Sequence, residues 1–232
     1  MIKCLVKELQ IRKSYLKKNE LDSLYFGGGT PSVLNQEDIK FLIRNIKKYF
    51  IINKNTEITF ECNPDDLSKE KLNTLKNVGI NRLSIGIQSF KSEDLSLMNR
   101  SHDSKQAIEC VKNAKAIGFK NISVDLIFSL PNQTIQDWKK NLEIVFDLGI
   151  QHISCYSLTI EEKTKLKHLI KSKKIIQLNE IESSKHFDLL VSECESQGFI
   201  QYEISNFGKE GFFSKHNSNY WTGGDYMGIG PS

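Results

Sequence analysis

Arginine is scarce in this chain of 232 residues: Arg12, Arg44, Arg82 and Arg100 stand among a large excess of lysines. Where a lysine-biased sequence keeps arginine, one reason is the need for a planar, multidentate donor, although Arg12 and Arg44 fall in ordinary helix patterns. A dominant charge is also lacking. Lys and Arg number 32 against 28 Asp and Glu, a net charge of +4, which argues against the basic footprint of a nucleic-acid-binding protein. Only the lysine-rich stretch 163–174 clusters, and it reads as a solvated helix face or loop. The five cysteines, Cys4, Cys62, Cys110, Cys155 and Cys194, are odd in number and far apart. They have neither zinc nor iron–sulfur spacing and suggest reduced thiols in a cytoplasmic protein. No apolar run approaches the roughly 18 residues of a membrane span, and Met1 leads straight into an amphipathic pattern, so neither a span nor a signal peptide is expected.

What the sequence does contain is enough apolar residue, 39%, for one large α/β domain or a domain plus part of another. Its most distinctive stretch is YFGGGTPS at 25–32, three glycines and a proline between a short apolar run and an amphipathic helix. Glycines without Cβ atoms let backbone amides approach a ligand, and they also serve tight strand-to-helix turns. Both readings stay open at this level.

Strand and helix patterns then alternate. A helix over 2–18 carries Leu5, Leu9 and Leu16, and strands are expected at 21–26, 56–62, 81–90, 121–130 and 152–158. Between them, Asn35, Ser68 and Thr134 are placed to cap helices, and Ile39, Leu42, Ile43, Ile46 and Phe50 share one helix face. An internal repeat accompanies this alternation. Residues 79–85, 118–124 and 149–155 share a glycine, a short loop and an apolar strand, with 198–204 a looser fourth copy. A repeated helix–glycine–strand unit predicts a parallel sheet of βα modules.

Side chains alternate along a strand, so each strand divides into two faces. Ile58/Phe60, Leu83/Ile85/Ile87, Ile122/Val124/Leu126/Phe128 and Ile153/Cys155 form an apolar face that must pack under helices. Glu57/Thr59/Glu61, Arg82/Ser84/Gly86/Gln88, Asn121/Ser123/Asp125 and His152/Ser154/Tyr156 form the opposite face. A closed barrel fills its interior mainly with branched apolar residues. Buried polar groups without partners cost several kcal/mol each, about 2–7 when neutral and more when charged. This interior must therefore be a self-satisfied network or a lumen for a polar ligand.

Together with YFGGGTPS, the stretches ECNP at 61–64, NRLSIGIQSF at 81–90, RSH at 100–102 and VDLI at 124–127 resemble radical S-adenosylmethionine (radical SAM) proteins of the oxygen-independent coproporphyrinogen dehydrogenase family. YEISNF at 202–207, HNSNYW at 216–221 and GIGPS at 228–232 are similar to that family's haem chaperone branch. The resemblance implies a partial (β/α)6 TIM-like barrel, with residues 1–160 forming most of it and 161–232 its remainder plus the start of a C-terminal extension. It implies S-adenosylmethionine in the lumen, with Gly27, Gly28, Gly29, Thr30, Glu61, Gln88, Arg100 and Asp125 at cofactor-binding positions. Carboxylates can hold an ammonium, a sulfonium or ribose hydroxyls, and arginine can hold a carboxylate. In the haem chaperone branch the HNxxYW stretch is associated with haem, which makes His216 a candidate ligand of haem iron.

The same resemblance implies a 4Fe-4S cluster held by a CxxxCxxC motif before the first helix, on a strand and cluster loop that this sequence lacks. As written, the chain is expected neither to hold that cluster nor to cleave S-adenosylmethionine reductively, and to be the middle of a longer protein. Haem and haem-accepting proteins are the implied partners, with peripheral membrane association and no nucleic acid. The expected function is that of a haem chaperone. Two other functions compete with it: oxygen-independent coproporphyrinogen oxidation, and a cofactor-free barrel binding an anionic metabolite at the glycine turn.

Overall fold

Helix signals, glycine stops and strand alternation recur along the chain, and a computed structural model shows how they assemble. It describes residues 1–173 and 175–231; Lys174 and Ser232, each the end of a stretch singled out above, lie outside the described residues. Helix α1 (Ile2–Arg12) leads to strand β1 (Ser23–Phe26), followed by α2 (Gln36–Ile46), β2 (Glu57–Cys62), α3 (Lys69–Val78), β3 (Arg82–Gln88), α4 (Ser92–Leu97), α5 (Ser104–Ala116), β4 (Asn121–Phe128), α6 (Ile135–Asp147) and β5 (His152–Ser157). Helices α7 (Lys165–Lys171) and α8 (Glu180–Ser196), the hairpin β6 (Ile200–Gln201) and β7 (Asn206–Gly208), and α9 (Lys215–Thr222) complete the described order.

The caps act as their chemistry dictates. Asn35, Ser68 and Thr134 each accept the backbone N–H three residues on, at the starts of α2, α3 and α6. The repeat glycines Gly79, Gly118, Gly149 and Gly198 all take positive φ, from +61° to +104°. A Cβ at Gly79, Gly118 or Gly198 would meet nothing within 4 Å, so the requirement is left-handed backbone rather than space. Two boundaries differ from expectation. Helix α1 ends at Arg12, well short of 18, and Leu9 is its only buried residue. Phe50 lies past the end of α2 yet is buried at 4% exposure.

The sheet runs β1-β2-β3-β4-β5-β7-β6, with β1 to β5 parallel. It is open rather than closed, and its last two strands depart from the expected repeat. The fourth copy at 198–204 ends in a two-residue strand antiparallel to β7, which is itself antiparallel to β5. Glu203 explains the reversal: its carboxylate accepts from Ser205 N and the Asn206 amide, closing a hairpin where another crossover helix would have begun.

Apolar strand residues, from Ile58 and Phe60 to Ile153 and Cys155, are buried in one continuous core with α2, α3, α5, α6 and α8. Helix α8 joins it through Leu190 and Cys194, and Trp138 on α6 donates to the His186 carbonyl. Among the described residues no helix is long and apolar enough to cross a membrane.

Candidate functional site

With one face of the sheet committed to the core, cross-strand register aligns the polar faces. Thr59 pairs with Arg82, Glu61 with Ser84, Ser84 with Ser123 and Asp125 with Ser154. The polar interior thus forms two tiers, one toward the strand N-termini and one toward the C-termini, where α/β proteins carry their sites.

In the lower tier the charged groups are paired. Arg82, 2% exposed, donates to Asn121 Oδ1 and to the Phe212 carbonyl, and burial lowers its pKa while Glu57 opposes the fall. Glu57, 6% exposed, accepts from Lys215 N at 3.2 Å, His216 N at 3.1 Å and Ser214 Oγ at 3.3 Å. A carboxylate at a helix N-terminus satisfies orphan amides and complements the helix dipole. Glu57 thereby seats α9 across the open side of the lumen.

The upper tier is less paired. Asp125 accepts from Ser84 Oγ at 3.1 and 3.2 Å, and burial raises its pKa to about 6 against the pull of Ser84 and Ser154. Glu61 accepts from Tyr25 Oη at 2.7 Å; burial and that carboxylate push the Tyr25 phenol well up. Both carboxylates, with Thr59, line a cavity of about 80 Å³. Thr59 Oγ1 is buried there without a partner. Polar groups left incomplete on a cavity wall are what a polar ligand can satisfy.

The glycine turn closes around the same point. A Cβ on Gly27 would stand 2.5 Å from the Tyr25 ring and 2.9 Å from Glu61 Oε1. Gly28 and Gly29 take φ of +75° and +67°, and a Cβ at either would meet open space. The turn therefore leaves a cradle above Glu61. Thr30 follows it, leading into the short 3-10 turn Pro31–Val33.

Gln88 and Arg100 stand near these strand ends without lining the cavity. Gln88 takes φ +70° after an irregularity in the β3–β4 register. Its amide folds back over Gly86, where a Cβ would lie 2.7 Å from Nε2. Arg100 is half-buried, makes no side-chain hydrogen bond among the described residues, and has Asp65 and Asp125 as the acidic groups that act on it.

His216, the candidate haem ligand, lies on α9, half-buried. Its ring stacks on Tyr25 with centroids 4.3 Å apart and planes at 21°. Nε2 is 3.5 Å from Tyr220 Oη, and burial lowers its pKa, favouring neutral imidazole. Beside it a second cavity of about 290 Å³ is lined by Tyr156, Asn217, Tyr220 and Trp221 among others. Tyr156 and Asn217 line both cavities.

Sequence reasoning missed Tyr25, Glu57 and Tyr202 as site-building groups. Alternation placed Glu57 on the interior face, but nothing local could pair it with α9. Cysteine chemistry is elsewhere: Cys4 is exposed on α1, and the other four thiols are buried. Among the described residues no three His, Cys, Asp or Glu side chains are grouped to hold a metal ion. The residues present suit S-adenosylmethionine, through the incomplete carboxylates and the glycine cradle, but do not suit a 4Fe-4S cluster.

Residues 7–145 match the family model described as the radical SAM superfamily. The heme chaperone HemW of Bacillus subtilis (strain 168) is 38% identical over 212 residues, covering 91% of this chain and 56% of that protein. Radical S-adenosyl methionine domain-containing protein 1, mitochondrial, of Danio rerio is 33% identical over 231 residues, covering 100% and 52%. The chain thus spans little more than half the length of the curated relatives it matches. Among solved structures, coproporphyrinogen III oxidase (HemN) from Escherichia coli superposes with a TM-score of 0.81 at 24% identity, over 96% of this chain and 50% of that one, a likeness of fold. The family match runs from α1 into α6, through every strand that bears the glycine cradle and its carboxylates, and the chain belongs to the radical SAM superfamily.

Proposed function

We propose that this chain carries the S-adenosylmethionine-binding and haem-binding parts of a HemW-like haem chaperone. The observation behind this reading is the pair of incompletely satisfied carboxylates, Glu61 and Asp125, beneath the Gly27–Gly29 cradle. In this reading the backbone of Gly27, Gly28, Gly29 and Thr30 lies against the methionyl ammonium. Glu61 and Asp125 take the ammonium, sulfonium or ribose hydroxyls, Arg100 takes the carboxylate, and Gln88 adds an amide. Bound S-adenosylmethionine supplies radical chemistry beside a reduced 4Fe-4S cluster; with no cysteine trio in these residues, the proposal is one of binding.

Haem is assigned to α9. Neutral imidazole is the form that ligates iron, and Tyr220 and Trp221, 55% and 65% exposed, offer aromatic surface beside the larger cavity. Ligation through Nε2 replaces its contact with Tyr220. The HemW relatives support haem-accepting proteins as partners, and the reading includes a cytoplasmic location with peripheral membrane association.

Two titrations test the proposal. Calorimetry with S-adenosylmethionine is expected to show binding that Gly27→Ala weakens about tenfold, because the methyl enters the cradle and disturbs the Tyr25–Glu61 bond, a loss of about 1.4 kcal/mol. Haemin titration followed at the Soret band is expected to weaken and shift in His216→Ala. Unchanged haem affinity and spectrum in that variant would remove His216 as the ligand, and robust coproporphyrinogen conversion by a cluster-loaded full-length protein would overturn the chaperone reading.

A further inference from the structure

A file of hydrogen-bonding groups runs through the lower tier from α9 to Asp125. Ser214 N donates to Tyr202 Oη at 3.2 Å. Tyr202 Oη lies 2.8 Å from His152 Nε2. His152 Nδ1 lies 2.7 Å from Ser123 Oγ, and Ser123 Oγ lies 3.3 Å from Ser154 Oγ. Ser154 faces Asp125 across β4 and β5, and its hydroxyl opposes the rise that burial imposes on the Asp125 pKa. His152, Ser123 and Ser154 are 0%, 1% and 4% exposed, so bulk solvent does not compete for these bonds.

The direction of this chain follows from valence. A backbone N–H only donates, so the Tyr202 oxygen accepts from α9, and the acceptor within reach of its own proton among the described residues is His152 Nε2. A neutral imidazole has one donor and one acceptor, and His152 is held neutral by burial and by Arg82. Nδ1 therefore carries the proton and donates to Ser123, which leaves the Ser123 hydrogen for Ser154 and the Ser154 hydrogen for Asp125. With α9 withdrawn, Tyr202 loses the Ser214 donor, and its oxygen is free to accept from Nε2. The other tautomer then turns Ser123 toward Nδ1 and releases Ser154.

We propose that His152 is a positioning residue coupling α9 to the lumen: seating of α9 selects its Nδ1–H tautomer, which orients Ser123 and Ser154 so that Asp125 stands ready to accept ligand hydroxyls. The ligand consequence rests on the reading of Asp125 given above; the coupling does not. The groups acting on Asp125 are Tyr25 on β1, Glu61 on β2, Arg82 and Ser84 on β3, Ser154, Cys155 and Tyr156 on β5, and Arg100 after α4. Those around His152 are Arg82, Ser123 and Tyr202.

NMR of the full chain with 15N-histidine and 13C-carboxyl aspartate tests this without any ligand. In the unmodified protein His152 is expected as Nδ1–H and unprotonated at neutral pH, with Asp125 titrating at about 6. Ser123→Ala cuts the chain without touching α9, and Tyr202→Phe cuts it at the helix. Both are expected to raise the Asp125 midpoint by about one pH unit, and Tyr202→Phe also to remove the tautomer preference. His152→Gln keeps one acceptor and one donor and is expected to hold the original midpoint, whereas His152→Leu is not. An Asp125 midpoint unmoved by Ser123→Ala and Tyr202→Phe, or an Nε2–H tautomer in the unmodified protein, overturns the proposal. S-adenosylmethionine titration separates the two readings: absence of binding by the unmodified protein defeats the cofactor assignment alone, while the midpoint shifts still decide the coupling.

Discussion

Asp125→Asn is expected to weaken S-adenosylmethionine binding at pH 7 by about a hundredfold while making the folded protein more stable. A hydrogen bond to a charged group contributes about 1.5–3 kcal/mol, and 1.4 kcal/mol is tenfold in affinity, so two ribose hydroxyls losing an ionised acceptor account for that loss. Stability moves the other way. Burial raises the Asp125 pKa from 3.8 to about 6, so between those values the folded state binds more protons than the unfolded state. Asp125 therefore contributes stability that is full below about pH 4 and lost as pH rises through about 6. Asparagine has no proton to lose. With allowance for solvent reaching the carboxylate from the lumen, the variant should gain about 2 kcal/mol at pH 7 and nothing at pH 4. Calorimetric binding and urea unfolding at the two pH values measure both effects. The unmodified protein should lose affinity as pH falls through 6. Retained affinity in Asp125→Asn would take Asp125 out of the site.

Glu57→Ala is expected to destabilise the protein by about 3 kcal/mol and to release α9. Three donors at the helix start lose their acceptor together. Arg82, buried at 2% exposure, is left with the neutral partners Asn121 and Phe212. Removing one charge from a buried arrangement costs about 3–5 kcal/mol, because the other remains desolvated. Urea unfolding gives the magnitude, and limited proteolysis after Lys215 reports the helix. Loss of the His216–Tyr25 stack should appear as a change in the Tyr25 ring resonances. A loss below about 1 kcal/mol with α9 still protected would mean that packing, not Glu57, seats the helix.

Much of this architecture is local, and so it was legible. Caps at Asn35, Ser68 and Thr134 act over three residues, and the glycine stops depend on their own φ. Period-two alternation separated Phe60, Leu83 and Val124 from Glu61, Ser84 and Asp125 because a parallel strand has only two faces. The hairpin at Glu203 escaped that logic: 198–204 repeats the earlier pattern, and only a side-chain cap on the following residues turned the chain back.

The sequence by itself determined that this sheet has a polar interior behind a glycine-rich strand end, since composition and alternation dictate which side chains share a face. Tertiary structure alone decided how that polarity is divided. Glu57 and Arg82 are consumed in seating α9, whereas Glu61 and Asp125 remain incomplete beneath the cradle. The same docking carries His216 onto Tyr25. The pairing of Glu57 with His216 N spans 159 residues, and at such separation no local pattern specifies a partner; only packing of the complete fold brings the groups within hydrogen-bond range.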